Sequence, residues 1–563
     1  MHPRPTPSKT TPSKTPTMPT AASASPSAWA PLAARVFRAL WIAQLASNVG
    51  SWMQTVGAQW LLVGESATLV TLVQTASSLP VMLLALPSGV LADRFDRRGV
   101  LLAAQFAMLG VSTVLTVLAF TGRLTPGLLL GLTFLMGCGT ALMGPAWQAI
   151  QPELVERSQL GQAAALGAVN MNLARAAGPA LGGVVVAAAG VGWVFAFNAV
   201  SYLGIAAVLI LWKRPEVPVD GGEKLLTALR TGRRYVRNAP GVRRVLLRTM
   251  LFIPGGAALW ALLPLVASRS LHLGPGGYGL LLGAVGVGAV AGAFVLPAVQ
   301  RALGANGTLA AGGVLYAGVL AVLATAPAPW LAVLVLLPAG LAWIGVLSTL
   351  NATLQTRLPG WVRARGLAVY LLFFQGGQAL AAPVWGALAA GWGPAVSLLA
   401  AGGLLVAGAV SVRWWPLYDG DAIDPRPSGH WPEPPLVFEP GPADGPVRIS
   451  VSYRVAPEHR AAFIGHMAHV ARSRRRTGAL DWGLFQDGND PAEFVETYLV
   501  GSWAEHLAQH HRRLTVTDRV HEERARGLLM PGTAPSVTHA FDVTAGPVVG
   551  VRADAGLSGP DSA

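Results

Sequence analysis

The sequence predicts an all-α membrane protein of twelve transmembrane helices in two six-helix halves, followed by a small α+β domain. Three observations carry that expectation. Only 12% of the 563 residues are charged and 52% are hydrophobic, whereas a soluble domain carries roughly 25% charged residues. The apolar residues come in long runs almost free of charge, each about 20 residues, the length of a helix that crosses the hydrocarbon core. Midway, residues 213–244 interrupt these runs with a long basic connection, and after Trp415 the composition changes altogether.

Taken in order, residues 1–35 open with Pro, Ser, Thr and Ala and lack the apolar core of a signal peptide, so they read as a disordered cytoplasmic tail. Residues 36–212 form the first half, with spans beginning near Phe37, Thr68, Val100, Pro126, Leu160 and Gly192. Residues 213–244 form a cytoplasmic basic loop. Residues 245–415 form the second half, with spans beginning near Val245, Tyr278, Thr308, Pro329, Ala364 and Pro394. The arginines of the short loops assign the faces. One side holds Arg94, Arg97, Arg98, Arg157, Arg301, Arg357, Arg363, Arg365 and the basic loop, and the other holds Arg123 and Arg269. The positive-inside tendency then puts both termini in the cytoplasm. The net charge of +14 is spent on these loops and on the last third of the chain. It does not form one basic face, so no nucleic-acid partner is expected. The single Cys138 allows neither an intrachain disulfide nor a cysteine metal cluster.

Two segments carry the conformational chemistry. The turn GVLADRFDRRGVL, Gly89 to Leu101, joins two uncharged runs. In it Gly89, Asp93, Arg94, Arg97 and Arg98 form a candidate gate. Asp93 can cap a helix and pair with an arginine so as to hold one conformation, or these charges only fix topology. In ARAAGPALGG, Gly178 and Pro179 are followed by Gly182 and Gly183. Proline removes a backbone hydrogen bond and the glycines allow close helix contact. Arg175 lies one turn earlier. A charge within a span faces the bundle interior or a water-filled cavity, so Arg175 is expected to meet an anionic substrate or a carboxylate, the alternative being a snorkelling structural arginine.

The remaining candidates for substrate binding are neutral amides: Asn48, Gln54, Gln148, Asn172, Gln375 and Gln378, with Trp52, Trp60, Trp147 and Trp343 adding aromatic surface. Amides with aromatics suit a bulky amphipathic molecule better than a sugar phosphate, although each amide can also join helix to helix. The middle of every span is without Asp, Glu or His.

The turn resembles the loop between helices 2 and 3 of the major facilitator superfamily (MFS), with Asp96 where the general pattern has glycine. The Gly178-Pro179 run resembles the end of a motif found in its exporting antiporters, with Ala165 and Ala174 where the longer pattern has glycine. FRALWIAQLASNVGSWMQTVGAQWLL, GPAWQAIQPELVERSQLGQAAAL and LNATLQTRLPGWVRARGLAVY are similar to the transmembrane secretion effector group, relatives of enterobactin exporters and macrolide efflux proteins. The resemblance runs from about Phe37 to Trp415. It implies the MFS fold, a transporter rather than an enzyme, and secondary export of a siderophore, macrolide or similar molecule across the cytoplasmic membrane. Proton antiport is implied with it, and no cofactor besides the proton-motive force.

Residues 416–446 read as a linker, 447–545 as a cytoplasmic module of β-α-β-β-α-β order, which is ferredoxin-like, and 546–563 as a disordered tail. The module also resembles dimeric α/β barrels of the antibiotic-biosynthesis-monooxygenase type. Its histidines, among them His506 and His510 at i and i+4, leave three readings open: a metal or haem site, an oxygenase pocket, or a dimerising and partner-binding module. The rival for the whole chain is a bifunctional membrane protein whose C-terminal domain modifies or senses the transported molecule.

Overall fold

The computed structural model describes residues 27–212, 225–325, 328–417, 424, 426–432, 434, 436, 438 and 440–542. Most of the expected N-terminal tail, the first part of the basic loop and the tail after 545 fall outside them. The first half contains α1 (Arg35–Leu61), α2 (Ala67–Arg94), α3 (Arg97–Phe120), α4 (Pro126–Leu154), α5 (Leu160–Ala189) and α6 (Val191–Leu211). A further helix, α7 (Leu225–Asn238), occupies the basic loop. The second half contains α8 (Pro240–Leu265), α9 (Pro275–Thr325), α10 (Pro329–Arg357) and α11 (Arg363–Val410).

Local chemistry sets several of the helix starts. The Ser66 hydroxyl accepts the Leu69 N–H at 3.1 Å to begin α2, and Asp96 Oδ2 accepts the Gly99 N–H at 2.8 Å to begin α3. Proline opens α4, α8 and α10, where its missing N–H costs no helical bond. Among the described residues nine helices are long and apolar enough to cross a membrane, and α1 is outside that set. Its polar residues Gln44, Asn48, Gln54 and Gln59 lower its hydropathy, and Gln54 and Gln59 are buried within the bundle.

The helices expected to begin near Thr308 and Pro394 continue instead from the helices before them. Gly304 breaks α9 at φ 64° and ψ −179°, and Gly393 breaks α11 at φ 86° and ψ 162°. Positive φ is open to glycine without steric cost. Gly190, which separates α5 from α6, has φ 90° and ψ 171°. The chain therefore makes nearly the same turn at Gly190 in the first half and at Gly393 in the second.

The halves meet through α2 against α11 and α5 against α9. One large apolar core runs from Val56, Leu62, Val70 and Phe195 of the first half into most of the second. At the opposite end of the bundle the first half has a core of its own, built from Phe37, Leu40, Leu101, Ile150, Leu154 and Leu209.

The C-terminal module is a four-stranded antiparallel sheet in the order β2-β3-β1-β4, formed by β1 (Val447–Arg454), β2 (Asp481–Gln486), β3 (Glu493–Val500) and β4 (Ser536–Phe541). Helices α12 (Arg460–Thr477), α13 (Trp503–Ala508) and α14 (Val516–Arg526) complete it. The described residues of the expected linker bond to this module. The Val516 N–H donates to Arg426 O at 3.0 Å, the Ser428 N–H to Leu514 O at 3.0 Å and the Trp503 N–H to Asp444 O at 2.7 Å. The module also touches the bundle. Arg234 of α7 donates to Gly478 O at 2.9 Å, and the Arg513 guanidinium lies 5.2 Å from the Trp361 ring in the α10–α11 connection.

Candidate substrate cavity and gate

A cavity of about 410 Å³ lies between the halves, and every bundle helix from α1 to α6 and from α8 to α11 contributes to its wall. Of the candidate binding residues, Gln54, Arg175, Gln375 and Gln378 line it. Arg175 is the one charged side chain among the described lining residues. Its Nη1 donates to Asn172 Oδ1 at 3.4 Å, its guanidinium is 5.8 Å from the Trp52 ring, and its Nε is buried without a hydrogen-bond partner. Asn172 is therefore a partner of Arg175 and does not itself line the wall. Gln378 Oε1 accepts from Gln74 Nε2 of α2 at 2.9 Å, while its own Nε2 donates to Gln375 Oε1 at 3.4 Å. Gln54 Oε1 accepts from Asn198 of α6.

The cavity is closed on the side where α1 ends. Gln59 Nε2 donates to Trp260 O at 3.1 Å, and Gln59 Oε1 accepts from the Tyr278 hydroxyl. Trp52 and Trp260 lie 5.7 Å apart, and Trp60 stacks on Tyr278 at 6.0 Å. These contacts tie α1 to α8 and α9. The Gly178-Pro179 segment adds to the closure. A Cβ on Gly183 would stand 2.6 Å from Pro275 O and 2.8 Å from Gly279 Cα, and one on Gly279 would stand 2.5 Å from Pro179 O. Gly178 and Gly182 point the other way, where a Cβ would lie 2.6 Å from Trp52 Cβ and 2.8 Å from Met53 Cα of α1. The motif thus packs α5 backbone to backbone against its own half on one side and against the other half on the other.

Toward the opposite end each half has a hollow of its own. One, of about 540 Å³, is lined by α1, α4 and α5 and includes Asn48 and Gln148. The other, of about 700 Å³, is lined by α10 and α11 and includes Asn351 and Gln355. A hollow confined to one half marks a surface that the other half does not cover. Asn48 also joins helices, since its Nδ2 donates to Asn170 Oδ1 at 2.9 Å.

In the turn, Gly89 lies within α2, and the side chains of Asp93 and Arg94 are outside the described ones. Asp96 is the cap of α3. Arg97 pairs with Glu153 of α4 at 3.0 Å. Arg98 Nε donates to Leu209 O at 2.7 Å and its Nη2 to Ile210 O at 2.9 Å, which satisfies carbonyls at the end of α6.

The module has a polar interior. Arg474 donates to Glu496 Oε1 at 3.0 Å and pairs with Glu522, which also accepts from Trp431 Nε1 at 2.8 Å and faces His430 Nε2 at 2.9 Å. Burial raises the Glu522 carboxyl, but Arg474 and these hydrogen bonds outweigh it and leave the group at about 2. His506 Nε2 lies 3.2 Å from His510 Nε2 and 3.0 Å from His539 Nε2. Burial, followed by the charges of neighbouring imidazoles, pushes His506 down to about 2 and His510 down to about 4. Among the described residues no group of three or more His, Cys, Asp or Glu side chains is arranged to hold a metal ion.

Sequence reasoning missed Gln74, Asn198, Trp260 and Tyr278 as lining residues. A lone amide in an apolar helix was the available signal for Asn198 within VGWVFAFNAVSYLG. Trp260 and Tyr278 carried none beyond being aromatic.

Residues 26–546 match the family model described as transmembrane secretion effector. The staphyloferrin A transporter of Staphylococcus aureus is 24% identical over 262 residues, which is 46% of this chain and 65% of that protein, just under two thirds of its length. The enterobactin exporter of Salmonella typhimurium is 27% identical over 386 residues, 66% of this chain and 90% of that one. Macrolide efflux protein A of Streptococcus pyogenes is 28% identical over 130 residues, 23% and 32% of the two chains. Among solved structures, the nucleoside transporter NupG aligns at a TM-score of 0.56 with 13% identity, over 68% of this chain and all of that one. An auto-inhibited POT family peptide transporter aligns at 0.57 with 12% identity, over 68% and 96%. These last two likenesses concern the fold.

Proposed function

The chain belongs to the transmembrane secretion effector family of MFS transporters, and from that premise we propose that it is a secondary exporter of an amphipathic small molecule across the cytoplasmic membrane. The cavity between the halves carries this reading, with its neutral amides, aromatic walls and single arginine. Siderophores and macrolides, named for the relatives, have the required combination of apolar body and polar groups. We take the bundle to cross the membrane twelve times, with α9 and α11 each crossing twice about Gly304 and Gly393. Both termini are taken as cytoplasmic, so the conformation described is closed to the outside and open to the cytoplasm. Export then proceeds by rocking of the halves, with Gly89, Asp93, Arg94, Arg97, Arg98, Gly178 and Pro179 setting the equilibrium and Arg175, Asn48, Gln54, Gln148, Asn172, Gln375 and Gln378 serving the substrate path.

The proton-motive force is the energy source in this proposal. Proton antiport, the form implied by the resemblance, needs a titratable carrier in the path, and the described lining residues include no Asp, Glu or His. The C-terminal module is read as a docking and dimerising appendage. Inverted vesicles containing the full chain, energised and offered a panel of siderophores and macrolides, should accumulate at least one of them. Asp93→Asn should reduce that uptake while leaving membrane insertion intact. No gradient-dependent uptake of any compound across the panel would replace the exporter with a membrane sensor.

A further inference from the structure

We infer that the cavity is built to hold an organic anion, and that the membrane potential drives its export without a proton carried by a cavity side chain; the inference rests on the exporter reading above. Arg175 supplies the first part. A guanidinium withdrawn from bulk water is costly unless a counter-charge or a full set of acceptors compensates it. Here the compensation is weak: one amide oxygen at 3.4 Å and the face of Trp52 at 5.8 Å, with Nε buried and unpaired. The described lining residues offer no carboxylate. An anionic headgroup that presents two oxygens side by side, such as a carboxylate or a sulfonate, would accept from Nε and Nη together, the geometry that guanidinium favours. Trp52, Trp260, Trp343 and Phe374 then face the apolar body of the same molecule. A neutral ligand leaves the arginine uncompensated, and a cation adds repulsion.

The driving force follows from charge accounting. Loaded with a monoanion, the site is neutral, and empty it is positive. One complete cycle therefore carries one negative charge outward, the direction that an inside-negative potential favours. A potential of about 100 mV is worth ~2.3 kcal/mol per charge, which sustains a gradient of about 50-fold for a monoanion. No second ion is required.

The test uses the full chain in liposomes with the α7 face outward. The probe is naphthalene-2-sulfonate, which stays ionised at every working pH, compared with 2-naphthylmethylammonium and naphthalene-2-sulfonamide. A valinomycin–potassium potential, vesicle interior positive and no pH gradient, should accumulate the sulfonate by a few tens of fold, and a pH gradient at zero potential should not. Arg175→Gln should lower sulfonate uptake about tenfold or more, the scale of a charge-assisted hydrogen bond, and Arg175→Lys should keep the preference for the anion. Wild-type transport by a folded Arg175→Gln protein overturns the inference. So does accumulation driven by pH alone, or preference for the ammonium probe; both leave the exporter reading standing. If none of the three probes moves under either gradient while the protein melts cooperatively, the inference falls, and the exporter reading is decided separately by the siderophore and macrolide panel.

Discussion

At Gly183 and Gly279 the absence of a side chain brings two helices of different halves within backbone contact. The obstacles to a Cβ there are backbone atoms, which cannot turn aside as a flexible side chain would. Gly183→Val is therefore expected to force α5 from α9, to lower stability by about 1–3 kcal/mol as overpacking does, and to raise the reactivity of a cysteine placed at Tyr278 toward a hydrophilic maleimide. A melting temperature and labelling rate equal to wild type would show that the close approach has no role. The histidines of the module make a second residue-scale case. The folded state holds His506 and His510 neutral, with pKa values pushed below the roughly 6.5 of an unfolded chain. Protons thus bind more readily to the unfolded module. Its stability should be complete above about pH 6.5 and fall between there and pH 4, where His510 titrates. Glu522 acts in a lower window, between about 4.5 and 2. Hydrogen-exchange protection factors in 447–541, referred to the intrinsic rate at each pH, should fall from about pH 6.5 to about 4.5, and His510→Gln should flatten that fall. Protection unchanged over that interval would refute it.

Helix ends carry the next level of organisation. Arg98 satisfies the last carbonyls of α6, and Arg248 does the same for the end of α11 and the residues beyond it, donating to Gly408 O at 2.9 Å, Ser411 O at 2.8 Å and Ser411 Oγ at 2.8 Å and pairing with Trp415 O. In each half an arginine from another helix closes the final one, where the helix dipole favours a cation. Arg248 is only 3% exposed, so Arg248→Met strands buried carbonyls and should cost about 2–4 kcal/mol, with a smaller loss for the less buried Arg98→Met. Thermal unfolding of both variants in one detergent checks the order, and the reverse order would contradict the burial argument. Much of this architecture was legible in the sequence. The helices at Pro126, Leu160 and Pro329 begin where the apolar runs and prolines place them, because charge exclusion and a missing N–H act locally. The rest depended on tertiary partners. Whether Gly304 and Gly393 divide a helix or turn it is set by packing on either side. Asn48 and Gln54 look alike as amides in one helix, yet one joins α1 to α5 and the other faces the cavity. His539 meets His506 from β4, 33 residues away, a distance at which no local pattern could join them.

For the molecule as a whole, the position of the C-terminal module decides which half it follows. Arg234 and Tyr235 of α7 meet Gly478 and Arg476 of the module, and Trp361 of the α10–α11 connection meets Arg513. Tyr235 also lies against Trp361 at 5.7 Å. All these bundle residues belong to α7 or the second half, and α7 reaches the first half through α2. If the halves rock as rigid bodies, the module should travel with the second, while the α2–α7 contact slides. Spin labels in a Cys138→Ser background make this measurable. A label at Asn489 of the module should keep its distance from one at Arg301 of α9 on cycling between energised and resting states, and should change its distance from one at Glu156, in the α4–α5 connection. Arg234→Ala removes the bond to Gly478 and the nearby Glu505 contact at 3.8 Å, and should broaden the Asn489–Arg301 distribution without abolishing transport. Equal changes in both wild-type distances would mean that the module is tethered to neither half, and its contacts with α7 would then lose any bearing on the transport cycle.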